Sequence, residues 1–400
     1  MIPSFYKLKE EVQYELTQHI LPFWMERMVD GQHGGYFGRM NGQNELVQQA
    51  PKGAILNARI LWTFSAAARH LGPLQIRPFV DRARDYIFDH FFDETHGGTY
   101  WMLNADGSPA DTKKQVYSQA FFIYALVEYY RLTGDKASLD KAVELFELIE
   151  KYSFDSGKNG YLEAFDRRWN LLEDLRLSEK DANEKKTMNT HLHVLEAYTN
   201  LYRVYRTPLL ARQLRNLILL FLEKIIQPQT HHLDLFFDEN WVCRSSLISY
   251  GHDIEASWLL LEAAEMLGDE DLLTMVREES VRMAEAAFEG VQPDGSIINE
   301  RDSVSGHVDD NRDWWPQAEA MVGFFNAWRL SGDERYSRSV LQGWSFIRTK
   351  LIDADTGEWF WSVSSQGMPD RINDKAGFWK CPYHNGRMCL ELLERIQQLK

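Results

Sequence analysis

A Gly-plus-aromatic segment recurs six times along the 400-residue chain, and that regularity restricts the fold to one built from repeated units. The copies are Gly34-Gly35-Tyr36-Phe37, Gly97-Gly98-Thr99-Tyr100-Trp101, Gly160-Tyr161-Leu162-Glu163-Ala164-Phe165, Leu233-Asp234-Leu235-Phe236-Phe237, Asp294-Gly295-Ser296-Ile297-Ile298 and Gly357-Glu358-Trp359-Phe360-Trp361. Successive starts lie about 63, 63, 73, 61 and 63 residues apart. Helical periodicity fills the gaps. Amphipathic helices are predicted ahead of each segment, at roughly 4–29, 75–92, 135–152, 207–227, 269–288 and 334–351. A second, more apolar set comes after each segment, at roughly 54–70, 114–132, 186–205, 252–267, 315–330 and 384–399. Turn signals such as Thr133-Gly134-Asp135, Leu267-Gly268-Asp269 and Ser331-Gly332-Asp333 join each unit to the next.

Six helix pairs, amphipathic outside and apolar inside, predict an all-α, closed double-layered (α/α)6 barrel with short β-hairpins at one rim. An open superhelix of helix pairs is the alternative, but neither end carries a polar capping repeat. No Pro/Gly/Ser-rich linker divides the chain, so residues 1–400 are expected to form one catalytic domain. Hydrophobic residues make up 44%, ample for a large core. No apolar run approaches the roughly 20 residues needed to cross a bilayer, and the first ten residues lack the basic flank and apolar stretch of a signal peptide. The three cysteines, Cys243, Cys381 and Cys389, are too few for a disulfide framework and fit a cytoplasmic location.

The net charge of −15 argues against nucleic acid or an anionic membrane as partner and for a neutral or cationic small molecule. Dense charge on the outer helices favours a monomer. The 13 tryptophans read first as bulky filler for a large helical core, with some of them offering stacking faces for sugar rings.

In such a barrel the starts of all six inner helices meet at one rim, and the chemically distinctive residues gather there. They are Arg59 in the first inner helix, Tyr117 in the second, Asn189 and His193 in the third, His252 and Glu255 in the fourth, Trp314, Trp315 and Glu319 in the fifth, and Trp379 and His384 at the sixth. His252 and His384 each stand at a helix mouth, behind Gly251 and Pro382. There the backbone N–H groups favour developing negative charge, and imidazole exchanges protons near neutral pH. Two such groups on opposite sides of one cavity can carry a proton from one face of a carbon to the other. His252 and Glu255 lie three apart on one helix face, predicting that Glu255 accepts a hydrogen bond from His252 and sets its tautomer.

Other constellations are weaker. His191 and His193 point to nearly opposite sides of a helix, and His231-His232 has no carboxylate or cysteine at useful spacing, so no metal centre is expected. Cys381 near His384 reads as buried filler rather than a nucleophile. No phosphate loop or dinucleotide fingerprint occurs, and no cofactor is expected.

The blocks Lys52 through Trp62, Thr187-Met188-Asn189, Ser249 through Trp258, Asn299-Glu300-Arg301-Asp302, Trp314 through Glu319 and Trp379 through Cys389 resemble the N-acylglucosamine 2-epimerase superfamily. The last block favours the branch acting on β-1,4-linked disaccharides over the N-acylhexosamine branch. The resemblance runs from about Leu16 to the C-terminus and itself implies the (α/α)6 barrel. It further implies reversible epimerisation at C2 of the reducing-end glucose of a disaccharide such as cellobiose, lactose or mannobiose, through ring opening and a cis-enediolate. His384 matches the group taking the proton from the glucose form and His252 that from the mannose form. His193 and Arg59 match residues assisting ring opening and holding the oxyanion, and Glu255 matches the partner of His252. Asp181 and Asn189 match sugar-binding polar groups, Trp315 and Trp379 stacking residues, and Tyr117 a residue lining the pocket. Aldose–ketose isomerisation or monosaccharide 2-epimerisation shares the enediolate. An inverting glycoside hydrolase built on Glu255 and Glu319 leaves the paired histidines unexplained, as does a non-catalytic sugar-binding protein.

Overall fold

The structure, a computed structural model, describes residues 2–72 and 74–399. The outer layer begins with α1 (Ile2–Tyr14), which widens into a π-helical stretch (Glu15–Ile20) and continues as α2 (Leu21–Arg27). Its other members are α4 (Arg77–His90), α6 (Lys136–Tyr152), α8 (Pro208–Leu220), α10 (Glu270–Phe288) and α12 (Glu334–Phe346). The inner layer is α3 (Ala54–Leu71), α5 (Val116–Thr133), α7 (Met188–Val204), α9 (Tyr250–Leu267), α11 (Trp314–Ser331) and α13 (Tyr383–Gln397). Each inner helix packs against the next, and α13 packs against α3, so the ring closes. These are the helices that the periodicity predicts, with starts shifted by two residues or fewer.

The two layers differ because their burial does. In α3 every residue from Ala54 to Ala68 is buried, as expected of a helix packed on all sides. In α6 only Ser138, Ala142, Leu145, Phe146 and Ile149 are, the single stripe of a surface helix. The Gly-Asp pairs at the junctions have two jobs. Gly134, Gly268 and Gly332 end α5, α9 and α11 in the left-handed region, at φ of 72°, 74° and 74°. The aspartates next to them, Asp135, Asp269 and Asp333, cap the following helix by accepting from Ser138 N, Leu272 N and Arg335 N.

Each Gly-aromatic segment is a hairpin held by one bridge, as between Phe92 and Thr99 or Ile352 and Trp359. A polar side chain one turn into the inner helix fixes it in four repeats. Gln119, His191, Asp253 and Gln317 accept from the backbone N–H of Thr99, Tyr161, Leu233 and Ile297, at 2.8, 2.9, 2.8 and 2.9 Å. That is the role of His191, which is structural. Two ladders lie within a repeat, Met102–Leu103 with Pro109–Asp111 and Glu300–Arg301 with Val308–Asp309, and five more, of two or three residues, run between repeats. Lys52–Gly53 pairs with Met102–Leu103, Lys114–Gln115 with Ala164–Phe165, Lys186–Thr187 with Phe236–Phe237, Leu247–Ser249 with Glu300–Asp302, and Arg312–Asp313 with Ser362–Val363. The bridge from Met40 to Ala376 completes the circle. Buried ion pairs anchor this rim: Lys52–Asp30, Lys114–Asp93, Lys186–Asp155 and Lys375–Asp353, at 2.7–3.1 Å. The rim is therefore rigid where the inner helices begin.

Candidate active site

His252 is the third residue of α9, His384 the second of α13, Asn189 the second of α7, Tyr117 the second of α5, and Trp314 and Trp315 open α11. The positive ends of these helices thus converge on one space. The partly exposed Trp315 ring adjoins both imidazoles. Its centroid is 4.6 Å from His252 and 5.8 Å from His384, so those two rings are at most about 10 Å apart. His252 lines the cavity described below, and His384 lies behind it, 5% exposed, on the same indole.

His384, His193 and His252 all engage Nδ1, and none has an Nε2 partner among the described residues. His384 Nδ1 meets Glu319 Oε1 at 2.7 Å, His193 Nδ1 meets Glu196 Oε2 at 2.8 Å, and His252 Nδ1 meets Ser249 Oγ at 2.8 Å. A carboxylate only accepts, so Glu319 places the proton on Nδ1 and bares Nε2 as a base. A hydroxyl donates or accepts, so Ser249 lets His252 take either tautomer. Glu255 is not the partner of His252, contrary to the spacing argument. Ser249, three residues earlier, already holds Nδ1, and the Glu255 carboxyl turns to the barrel axis, where Arg387 Nη2 donates to it at 2.6 Å.

Arg387 is the central group that the sequence reading missed, although it lies three residues after His384 on the same helix. Its Nη2 also donates to Glu319 Oε1 at 2.7 Å, and Nη1 donates to Glu196 and the Tyr383 hydroxyl. One buried guanidinium therefore links both His–Glu pairs. Glu319, expected to touch sugar, instead binds His384, Arg387 and Trp258 Nε1 (3.2 Å). Glu255 and Glu319 share one nitrogen, so they lie closer than the roughly 6.5–9.5 Å of an inverting hydrolase. Glu255, Glu319 and His384 do place three ligand-type atoms within 4.8 Å of one another, but Arg387 already supplies the cation for both carboxylates.

The electrostatics follow from this burial. Burial, and then the charge of Glu319, pushes Glu255 up to about 8. Burial also raises Glu196, but Arg387 and His193 outweigh it and hold it at about 2. Burial raises Glu319 as well, with Arg387 opposing it, so the one guanidinium faces two carboxyls that compete for its charge. Burial, then repulsion from His193, lowers His252 to about 3. Burial, then Arg59 and Arg387, keeps His384 well below the usual imidazole range. Both imidazoles are neutral at pH 7.

Arg59 donates to the Tyr117 hydroxyl at 3.0 Å and stacks over Phe121 and Tyr383 at 4.3 and 4.7 Å, while its Nε has no partner among the described residues. The Trp379 ring lies 6.1 Å from Tyr117, continuing this wall. Trp314 differs from expectation. It is 4% exposed, enclosed by Trp361 at 4.6 Å and Lys380 at 5.3 Å, and offers no open face for stacking. A cavity of about 340 Å3 runs outward from His252 and Asn189, past Asp181, to Glu300 and Asp309. Asn189 Oδ1 is buried there without a partner among the described residues, an acceptor awaiting a hydroxyl. One Asp181 oxygen is taken by Ser178 N and Oγ, which closes the loop over the cavity. Glu163, also overlooked, lines the same cavity as a carboxyl raised by burial to about 8. The visible signal was a carboxylate inside a Gly-aromatic segment.

Comparison with known proteins agrees in family and fold. The family model described as N-acylglucosamine 2-epimerase (GlcNAc 2-epimerase) matches residues 35–385. A cellobiose 2-epimerase of Bacteroides fragilis is 55% identical over 386 residues, spanning 96% of this chain and 98% of that protein. The structure of cellobiose 2-epimerase from Bacillus thermoamylovorans superposes with a TM-score of 0.94 at 42% identity, covering 98% of this chain and 100% of that one. A D-mannose isomerase shares the fold at a TM-score of 0.82 and 18% identity, covering 97% of each chain.

Proposed function

Because the chain belongs to the N-acylglucosamine 2-epimerase family, we propose that it epimerises C2 of the reducing-end glucose of β-1,4-linked disaccharides, cellobiose among them, to mannose and back. The observation that carries this reading is the pair of imidazoles adjoining Trp315, each with Nδ1 engaged and no Nε2 partner among the described residues.

The sugar ring opens to the aldehyde, which acidifies the C2–H bond; His193 and Arg59 assist that step. His384 Nε2 takes the C2 proton from the glucose form, and the electron pair moves into a C1–C2 double bond with its charge on the C1 oxygen. Arg59 and the converging helix mouths stabilise that oxyanion. Rotation about C2–C3 presents the other face of C2 to His252, which takes up a solvent proton as the anion forms and delivers it to C2, while His384 releases the proton it removed to solvent before the next turnover. Burial disfavours imidazolium, and the charge of the enediolate reverses that preference. The mannose form runs the sequence backwards with His252 as base. Trp315 and Trp379 hold sugar faces, and Asp181, Asn189 and Tyr117 contact hydroxyls. We further read the ring as one monomeric catalytic unit of the cytosol that needs no metal or cofactor.

Incubation with cellobiose in D2O tests the scheme. Glucosyl-mannose carrying deuterium at C2 is expected, and activity should persist after exhaustive chelation. A ketose, free glucose or undeuterated epimer as the main product overturns the assignment.

A further inference from the structure

A second cavity, of about 320 Å3, opens at the opposite end of the barrel, where the inner helices finish. Arg69 of α3, Arg131 of α5, Arg203 of α7 and Met266 of α9, all in or near the last turn, line it. The proposed epimerisation does not use this space, and its volume lies at the lower end of the roughly 300–1,000 Å3 found for small-molecule pockets.

Its lining selects the chemistry of an occupant. The guanidiniums are already paired: Arg69 and Arg131 with Glu128 at 2.7 and 2.8 Å, Arg395 with Glu391 at 2.9 Å, and Arg203 with Glu262. Every lining guanidinium is paired among the described residues, and Glu265 and Glu394 add further carboxylates, so the lining turns away an anion while its spare N–H groups and lone pairs suit hydroxyls. Trp62, 5% exposed, lines the cavity, and its Nε1 has no acceptor among the described residues. An unpartnered buried N–H is costly and asks for an oxygen, which a bare metal ion or an alkylammonium does not provide. Tyr124 stacks on Trp62 at 5.1 Å, and Trp258 adds a third aromatic ring. Paired acid–guanidinium forks beside aromatic rings suit a ligand with several hydroxyls and apolar C–H faces.

We infer that this cavity is a second saccharide site, holding one neutral hexose-sized polyol. Its floor touches the catalytic network through two side chains. Trp258, on the cavity wall, donates to Glu319, the partner of His384. Glu196, also on the wall, binds His193 and Arg387. A sugar seated here is one side chain from both His–Glu pairs and alters their hydrogen bonding without entering the catalytic cavity.

The site itself is tested by binding, independently of the reaction. D-glucose titrated into the Trp315→Ala variant, whose rim cavity is impaired, should still bind at one site per chain. Adding Trp62→Phe, which keeps the ring and removes the N–H, should abolish that binding. Glu262→Gln serves the same purpose at the cavity mouth if Trp62→Phe does not fold. Crystals soaked in D-glucose should show a hexose against Trp62. In the wild-type enzyme at saturating disaccharide, D-glucose should change kcat by about fivefold or more, the lower range of allosteric coupling, and Trp62→Phe should remove that effect. Glucose binding that disappears with Trp315→Ala alone, or a soaked cavity holding only water, overturns the inference. Glucose bound against Trp62 in wild-type protein that leaves cellobiose unchanged would instead count against the epimerase reading.

Discussion

Replacing Glu319 by glutamine preserves shape and removes one charge at the point where His384 is oriented. Three contacts are altered: His384 Nδ1 at 2.7 Å, Arg387 Nη2 at 2.7 Å and Trp258 Nε1 at 3.2 Å. Arg387 keeps Glu196 and Glu255, so the guanidinium is not left uncompensated and the fold should survive. The loss at His384 is that of a hydrogen bond to a charged group, about 1.5–3 kcal/mol, or roughly 10- to 150-fold in kcat/KM. If the amide presents its NH2 group to Nδ1, the proton moves to Nε2 and the base is lost; wrong-tautomer substitutions in hydrolase triads cost about 10^4-fold. Steady-state epimerisation of cellobiose, with substrate binding measured by calorimetry, separates the cases. Binding should change by less than about threefold, since Glu319 acts through His384 rather than on sugar. An activity within twofold of wild type, or a loss confined to KM, refutes the orienting role.

Other expectations rest on the same geometry. Ser249→Ala removes a neutral hydrogen bond from His252 (2.8 Å) and should lower kcat/KM by about 2- to 15-fold, less than Glu319→Gln; an equal or larger loss would contradict the ranking. The imidazoles of His252 and His384 are held below their ordinary range, His252 at about 3. Protonation destroys the base only as pH falls through those lowered values, so the acid limb of kcat/KM should lie below pH 6, and a midpoint near 6.5 in a pH–rate profile would contradict this. Glu163 is raised to about 8 from 4.5, so folding takes up a proton between those values. Stability should therefore fall as pH rises through that window, by at most about 1.4 kcal/mol per unit. Denaturation at pH 5.5 and 8.5 should show Glu163→Gln losing much of this dependence.

Helix positions were legible because burial imposes a period: continuous apolar runs for the inner layer and single stripes for the outer one. Gly-Asp junctions marked the turns because only glycine takes left-handed φ freely while aspartate caps the next helix. The gathering of Arg59, Tyr117, Asn189, His193, His252, Trp315, Trp379 and His384 at one rim came from helix order alone. Partnerships were not legible. Ser249 and Glu255 are both three residues from His252, and spacing does not say which is bonded. Arg387 was hidden because its partners Glu196, Glu255 and Glu319 come from three other helices. The inter-repeat ladders consist of two- and three-residue pieces, too short for a period-two signal.

Since every lead-in strand pairs with the hairpin of the following repeat, and Met40 with Ala376 passes the last contact back to the first, no repeat occupies an end. A linear array of helix pairs frays from its termini and loses stability piecemeal. Here the removal of any one unit breaks two seams and opens the floor on which both imidazoles stand. Loss of structure and loss of proton transfer should accordingly coincide in a single cooperative event.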